Sequence, residues 1–374
     1  MKPVWSLLQE IRSYRPRFRS ESDARLETAL IVSGWTCRIH GIDETERGGE
    51  ELIRRLDIEL DSLVGGINEY FGEHISLQYA LSPDIDGIAS CVCIDDRRHV
   101  IIFSEPWLLN ILGYFTLRSD DYLFRYLIGV DDQIRNLQNV SNEKSRVNAL
   151  ASWSLADFSL KIYIWIVFSH ELCHIMHGHF KYISFLESSE FGEISPIDIQ
   201  ITRKTLEFDA DVFAMRYAKS KLARITHPLF LHKNFGGVNV PIGSYRNRLL
   251  VFVNLVLFWY NAGKGSQETE NHPPSLFRIW PLIHILMEGS DAWNDLSRRP
   301  EVHQEAVMDV FVPSLVHYMA VGGSCHPSDA IFMIEQHEKV VPELSKKISE
   351  RWSLIHSSLQ KFAVPGIILP AVRT

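Results

Sequence analysis

Between Gly49 and Phe71, apolar side chains fall at Leu52, Ile53, Leu56, Leu60, Leu63 and Ile67. That spacing keeps returning to one side of a 3.6-residue turn and predicts an amphipathic helix. The period then shortens, and Ile75 to Leu81, Ile88 to Ile94 and His99 to Phe103 read as short strands. Asp95, Asp96, Arg97 and Arg98 separate the last two, which predicts a hairpin near 88–103 with a four-residue turn. An apolar helix is expected from Pro106, and the polar stretch Asp131 to Ser145 marks a soft boundary.

From Ala151 to about Gly289 the pattern is almost wholly helical. A Ser/Glu/Gly stretch, Glu187 to Ser195, breaks it and suits a loop beside a site. After Asp291, amphipathic helices are expected at Glu301 to Met319, Ser328 to His337 and Glu343 to Phe362. The chain therefore divides into a mixed α/β part over 1–145, a helical core over 146–290 and a C-terminal helical extension over 291–374. The expected class is α+β, mainly helical, with a small antiparallel sheet. Ile162 to Phe168 and Leu249 to Tyr260 are apolar but shorter than the ~18 residues a bilayer crossing needs. Both read as buried core helices, so no transmembrane span is expected.

Composition narrows the class. Apolar residues make up 46% and charged residues 22% of the 374, which is the balance of an ordered globular chain. The net charge of −8, without a concentrated basic stretch, excludes nucleic acid as the main partner. The basic start (Lys2, Arg12, Arg15, Arg17, Arg19) reads as a solvated helix end. Five scattered cysteines make no disulfide framework, and the start lacks the features of a signal peptide, so a cytoplasmic location is expected. Cys91 and Cys93 read as core thiols on one strand face.

The chemistry concentrates in WIVFSHELCHIMHGHF. His170 and His174 stand four apart, hence one turn apart on one helix face, so both imidazoles can reach one tetrahedral Zn²⁺. Glu171, beside the first of them, is placed to take a proton from water at the metal. A catalytic zinc needs a third protein ligand. Glycine and histidine would be required at positions 177 and 180 for a metzincin, and these are His177 and Phe180. A gluzincin instead takes a Glu from a later helix, and LEFDADVFA supplies Glu207, with Asp211 four residues on and on the same face. Asp211 can then orient an imidazole or pair with a cation. His177 and His179 read as helix-end histidines.

A last element is NHPPSLFRI, where Pro273 and Pro274 fix an extended turn and launch a helix. His272 precedes that helix and Arg278 lies inside it. Such a histidine can hydrogen-bond an oxyanion or simply cap the helix.

HELCH, LEFDAD and NHPPSLFRI, in this order, resemble the gluzincin zinc peptidases typified by the CAAX-prenyl endopeptidase and the heat-shock protease HtpX. The pattern is more similar still to the soluble phage-exclusion Lit peptidases. The resemblance covers about 153–285. It implies a zincin-like metallopeptidase core with one Zn²⁺ per chain held by His170, His174 and Glu207. Glu171 would be the base, with Asp211, His272 and Arg278 supporting the site. The implied activity is hydrolysis of internal peptide bonds in a protein substrate, in the setting of antiviral defence. Two other classes stay open: a non-catalytic zinc-stabilised binding protein, which would not need Glu171, and a membrane-surface-associated metalloprotease using the basic start.

Overall fold

The structure is a computed structural model that describes residues 47–82, 88–104, 144–188, 195–224 and 327–370, with isolated positions 107, 108, 111, 115, 273 and 278. In chain order its elements are α1 (Arg47–Phe71), β1 (Ser76–Ser82), β2 (Ala89–Cys93), β3 (Arg98–Ser104), α2 (Lys144–Met176), α3 (His179–Glu187), α4 (Pro196–Arg224) and α5 (Pro327–Leu359). The described part is mainly helical with one small sheet, an α+β arrangement. No helix among the described residues is long and apolar enough to cross a membrane. The run Leu249 to Tyr260, the helix expected over 301–319 and His272 lie outside the described residues, as do most of the soft boundary and of the helix expected from Pro106.

The predicted helix and hairpin are both present. In α1, Leu56, Leu60 and Leu63 are buried on one face while Ile58 and Tyr70 face solvent. Strands β2 and β3 pair antiparallel, Ala89 opposite Phe103 and Cys93 opposite His99. Asp95 closes their turn by accepting from the backbone N–H groups of Arg97 and Arg98 at 2.9 and 2.8 Å.

The sheet is mixed, which corrects the antiparallel expectation. Its order is β1-β3-β2, and β1 runs parallel to β3. No hairpin turn links these two strands, so their direction is set elsewhere. The Asn68 side chain accepts from Leu77 N–H at 2.7 Å and donates to Leu77 C=O at 2.8 Å, and this tie fixes how β1 leaves α1.

Helix α2 is apolar on every side from Ile162 to Phe168, and every one of those residues is buried. It contacts β2 and β3 on the sheet side and packs along α4. The Trp165 indole N–H adds a link to α1 by donating to Glu59 at 2.7 Å. The run is thus a core helix, as its length implied.

The C-terminal segment also differs from expectation. Helix α5 runs unbroken through Pro342, where two separate helices were expected. Its lower half and the stretch after it lie on α4 and α3: Ile355 and Leu359 of α5, with Leu369 beyond it, share a core with Tyr182, Leu186 and Leu206. Arg351 bridges α5 to the start of α4, donating to Asp198 at 3.0 Å and to Thr202 at 2.7 Å. That start is N-capped by Ser195, whose Oγ accepts from Asp198 N–H and donates to the Asp198 carboxylate, with Pro196 at the first helical position.

Candidate metal centre

Two helices and one tight turn build the site. Helix α4 presents Leu206, Ala210, Ala214 and Ala218 at four-residue spacing, all buried, and so few large side chains let the helices approach closely. The same spacing places Glu207 and Asp211 together. On α2, His170 and His174 stand one turn apart, Nε2 to Nε2 at 3.2 Å.

Glu207 completes a triangle. Its carboxylate oxygens lie 3.4 Å from His170 Nε2 and 3.5 Å from His174 Nε2. A tetrahedral ion with metal–ligand bonds of about 2.05 Å has ligand-to-ligand edges of about 3.3 Å. The three edges, 3.2, 3.4 and 3.5 Å, fit that requirement. The three residues thus form a group able to hold a metal ion.

Asp211 and Arg278 stand behind it. His170 Nδ1 lies 3.0 Å from Asp211, and Arg278 grips the same carboxylate with Nε and Nη2, both at 2.7 Å. Arg278 Nη2 also lies 3.7 Å from Glu207. Burial opposes the Asp211 charge, but Arg278 and His170 outweigh it and hold the carboxyl below its usual range. Burial likewise opposes a charge on His170, yet hydrogen bonds with Asp211 and Glu207 push its pKa up to about 10. These carboxylates create a strong demand for a cation. His174, by contrast, is pushed down by burial and stays neutral, the form in which imidazole binds metals.

Glu171 is half-buried beside His170. Its charge is felt by Arg278 and by Cys91 of β2, so it lies on the sheet side of the site. Cys91 is half-buried and Cys93 exposed, and neither belongs to the core, which corrects their reading as core thiols. Among the described elements β2 packs mainly against β3 and α2, which leaves both thiols only partly covered.

A second donor group went unrecognised in the sequence. Cys173, His177, His179 and Asp209 are all buried, with donor atoms within 4.8 Å of one another. Asp209 Oδ2 lies 2.5 Å from His177 Nδ1, 3.2 Å from His179 Nε2 and 3.6 Å from Cys173 Sγ. Burial opposes the Asp209 charge, but these histidine contacts hold its carboxyl well below the usual range. Burial and the Asp209 charge push the Cys173 thiol up, so it is an S–H donor. His177 and His179 are therefore not solvated helix-end residues. The overlooked signal was Asp209 set among the apolar Phe208, Ala210 and Val212.

Gly178 makes the second group possible. It ends α2 and begins α3 in the left-handed region, φ 72°, so the chain reverses between His177 and His179. A Cβ there would meet the Phe362 carbonyl oxygen at 2.1 Å. The stretch after α5 lies against this turn, with Val364 N–H donating to Met176 C=O at 2.9 Å.

Of the sequence-predicted site residues, the fold brings together His170, His174, Glu207, Asp211 and Arg278, and sets Glu171 beside them. Comparison of the chain with family models, curated proteins and solved structures returned no match.

Proposed function

We propose that this chain is a zinc-dependent endopeptidase of the gluzincin type, with a zincin-like core in which α2 and α4 carry the metal ligands. The observation that supports this most directly is the His170, His174 and Glu207 triangle, whose edges suit a tetrahedral ion and leave a fourth position for water or substrate. Zn²⁺ held there would acidify water and polarise a peptide carbonyl.

The protein groups supply the rest. Glu171 takes a proton from the attacking water and later passes it to the leaving amine. Asp211, gripped by Arg278, keeps the His170 ring oriented. His272 is assigned the oxyanion contact. β2 is the edge strand facing α2, so an extended peptide can add to it through backbone hydrogen bonds, with its scissile bond near Glu171. The resemblance to phage-exclusion peptidases extends the proposal to cleavage of a host protein during infection.

The test is proteomic identification of new protein termini in cells expressing wild type or Glu171→Gln. Termini that appear with wild type and vanish with the variant support an endopeptidase. Identical termini in both would sink the proposal and leave a metal-stabilised binding protein as the better reading.

A further inference from the structure

The two donor groups touch at one point: His174 Nδ1 and His179 Nδ1 lie 2.9 Å apart. Each nitrogen constrains the other. On the reading above, His174 binds its metal through Nε2, which lies in the triangle with His170 and Glu207. A neutral imidazole ligated at Nε2 carries its proton on Nδ1. His179 Nδ1 must then accept that hydrogen bond, which leaves the His179 proton on Nε2, 3.2 Å from Asp209 Oδ2. The resulting chain is consistent throughout: His174 donates to His179, and His179 donates to Asp209.

That assignment bears on the second donor group. Cys173, His177, His179 and Asp209 are the residue types of a closed structural zinc site. With its proton on Nε2, however, His179 cannot offer that nitrogen to a metal. The distances agree, because His177 and Asp209 stand 2.5 Å apart, a hydrogen-bond length far below the ~3.3 Å edge of a zinc tetrahedron.

We propose that His179 is a positioning residue for His174, and that Cys173, His177, His179 and Asp209 form a hydrogen-bonded brace and not a second metal centre. The two ligand histidines are then held alike, His170 by Asp211 with Arg278 and His174 by His179 with Asp209. Such partners fix the ring and its tautomer, and their loss costs about 10- to 100-fold in metal affinity. The inference rests on the metal reading of His170, His174 and Glu207.

The experiment uses Zn²⁺ and the full chain. Stoichiometry comes from elemental analysis, affinity from competition with a chromogenic chelator, and stability from thermal unfolding of the metal-free protein. Wild type and Cys173→Ala should each bind one zinc. His179→Phe keeps the ring volume without the nitrogens, and should bind zinc about 10- to 100-fold more weakly. His179→Asn restores an acceptor where Nδ1 stood and should recover part of that loss, whether or not the metal-free melting temperature recovers with it. Rescue of affinity by Asn separates positioning from a general packing role, and it keeps the test open if His179→Phe does not fold. Two zinc ions in wild type, one of them lost in Cys173→Ala, would overturn the brace while leaving the first site intact. Wild-type affinity in His179→Asn and His179→Phe alike would also overturn it. Wild type that binds no zinc defeats the metal reading itself, and the inference with it.

Discussion

The two donor groups at the contact of α2 with α4, the second completed by the Gly178 turn and the start of α3, are made of similar residues, and they differ in their edges. Between His170, His174 and Glu207 the donor atoms stand 3.2 to 3.5 Å apart, a spacing that suits a metal ion between them. Around Asp209 the spacing falls to 2.5 Å at His177, a hydrogen-bond length. Charge differs in the same sense. The first group draws on the carboxylates of Glu207 and Asp211, with Glu171 beside it, and pushes His170 up to about 10. The second gathers its polar contacts on a single carboxylate, Asp209, so local hydrogen bonds already satisfy it. On the proposed reading, donor spacing and charge balance separate the two groups, where burial and histidine content do not.

The sharpest way to break this comparison is through Glu171. Glu171→Gln should keep full zinc content and lose about 10²- to 10⁴-fold in turnover, the usual contribution of a general base. Zinc content and hydrolysis of an identified substrate are read on one preparation, and loss of zinc would move Glu171 into the ligand set. Glu207→Gln and His174→Ala should act in reverse, releasing the metal on dialysis, because each removes a ligand from the triangle. Equal zinc in His174→Ala and wild type would remove the site as drawn.

Asp211→Asn tests the support on the first side. It should weaken zinc by about 10-fold or more while leaving the stoichiometry at one, since the His170 ring loses its carboxylate partner. Unchanged affinity would mean that Arg278 and Asp211 only balance charge. Gly178→Ala tests the turn that carries the second side. The left-handed conformation alone costs about 1–2 kcal/mol with a side chain, and the contact with Phe362 adds to it, so the metal-free melting temperature should fall by several degrees. A melting temperature equal to wild type would show that the C-terminal stretch can move away from the turn. The smallest effect is expected from Cys173→Ala, at about 1 kcal/mol of stability with zinc unchanged, because the thiol contributes a small buried volume and a long contact to Asp209.

What the sequence determined on its own is what depends on neighbours a few residues away. Helical spacing was enough for α1, alternation with a polar break was enough for the hairpin, and the length of the apolar run was enough to mark α2 as a core helix. The same short-range logic paired His170 with His174 and Glu207 with Asp211, because residues four apart share a helix face. Tertiary structure decided everything that joins distant segments. The parallel pairing of β1 with β3 joins strands that are not consecutive in the chain, which no alternation of side chains encodes. The covering of the Gly178 turn by residues after α5 depends on α5 packing against α3 and α4. Asp209 stands two positions from both Glu207 and Asp211 and so faces another side of α4, where periodicity alone reads it as a solvated acid. His177 reaches that side one turn after Cys173, the reversal of the chain at Gly178 brings His179 there, and it is the packed fold that turns an apparent surface carboxylate into the anchor of His174.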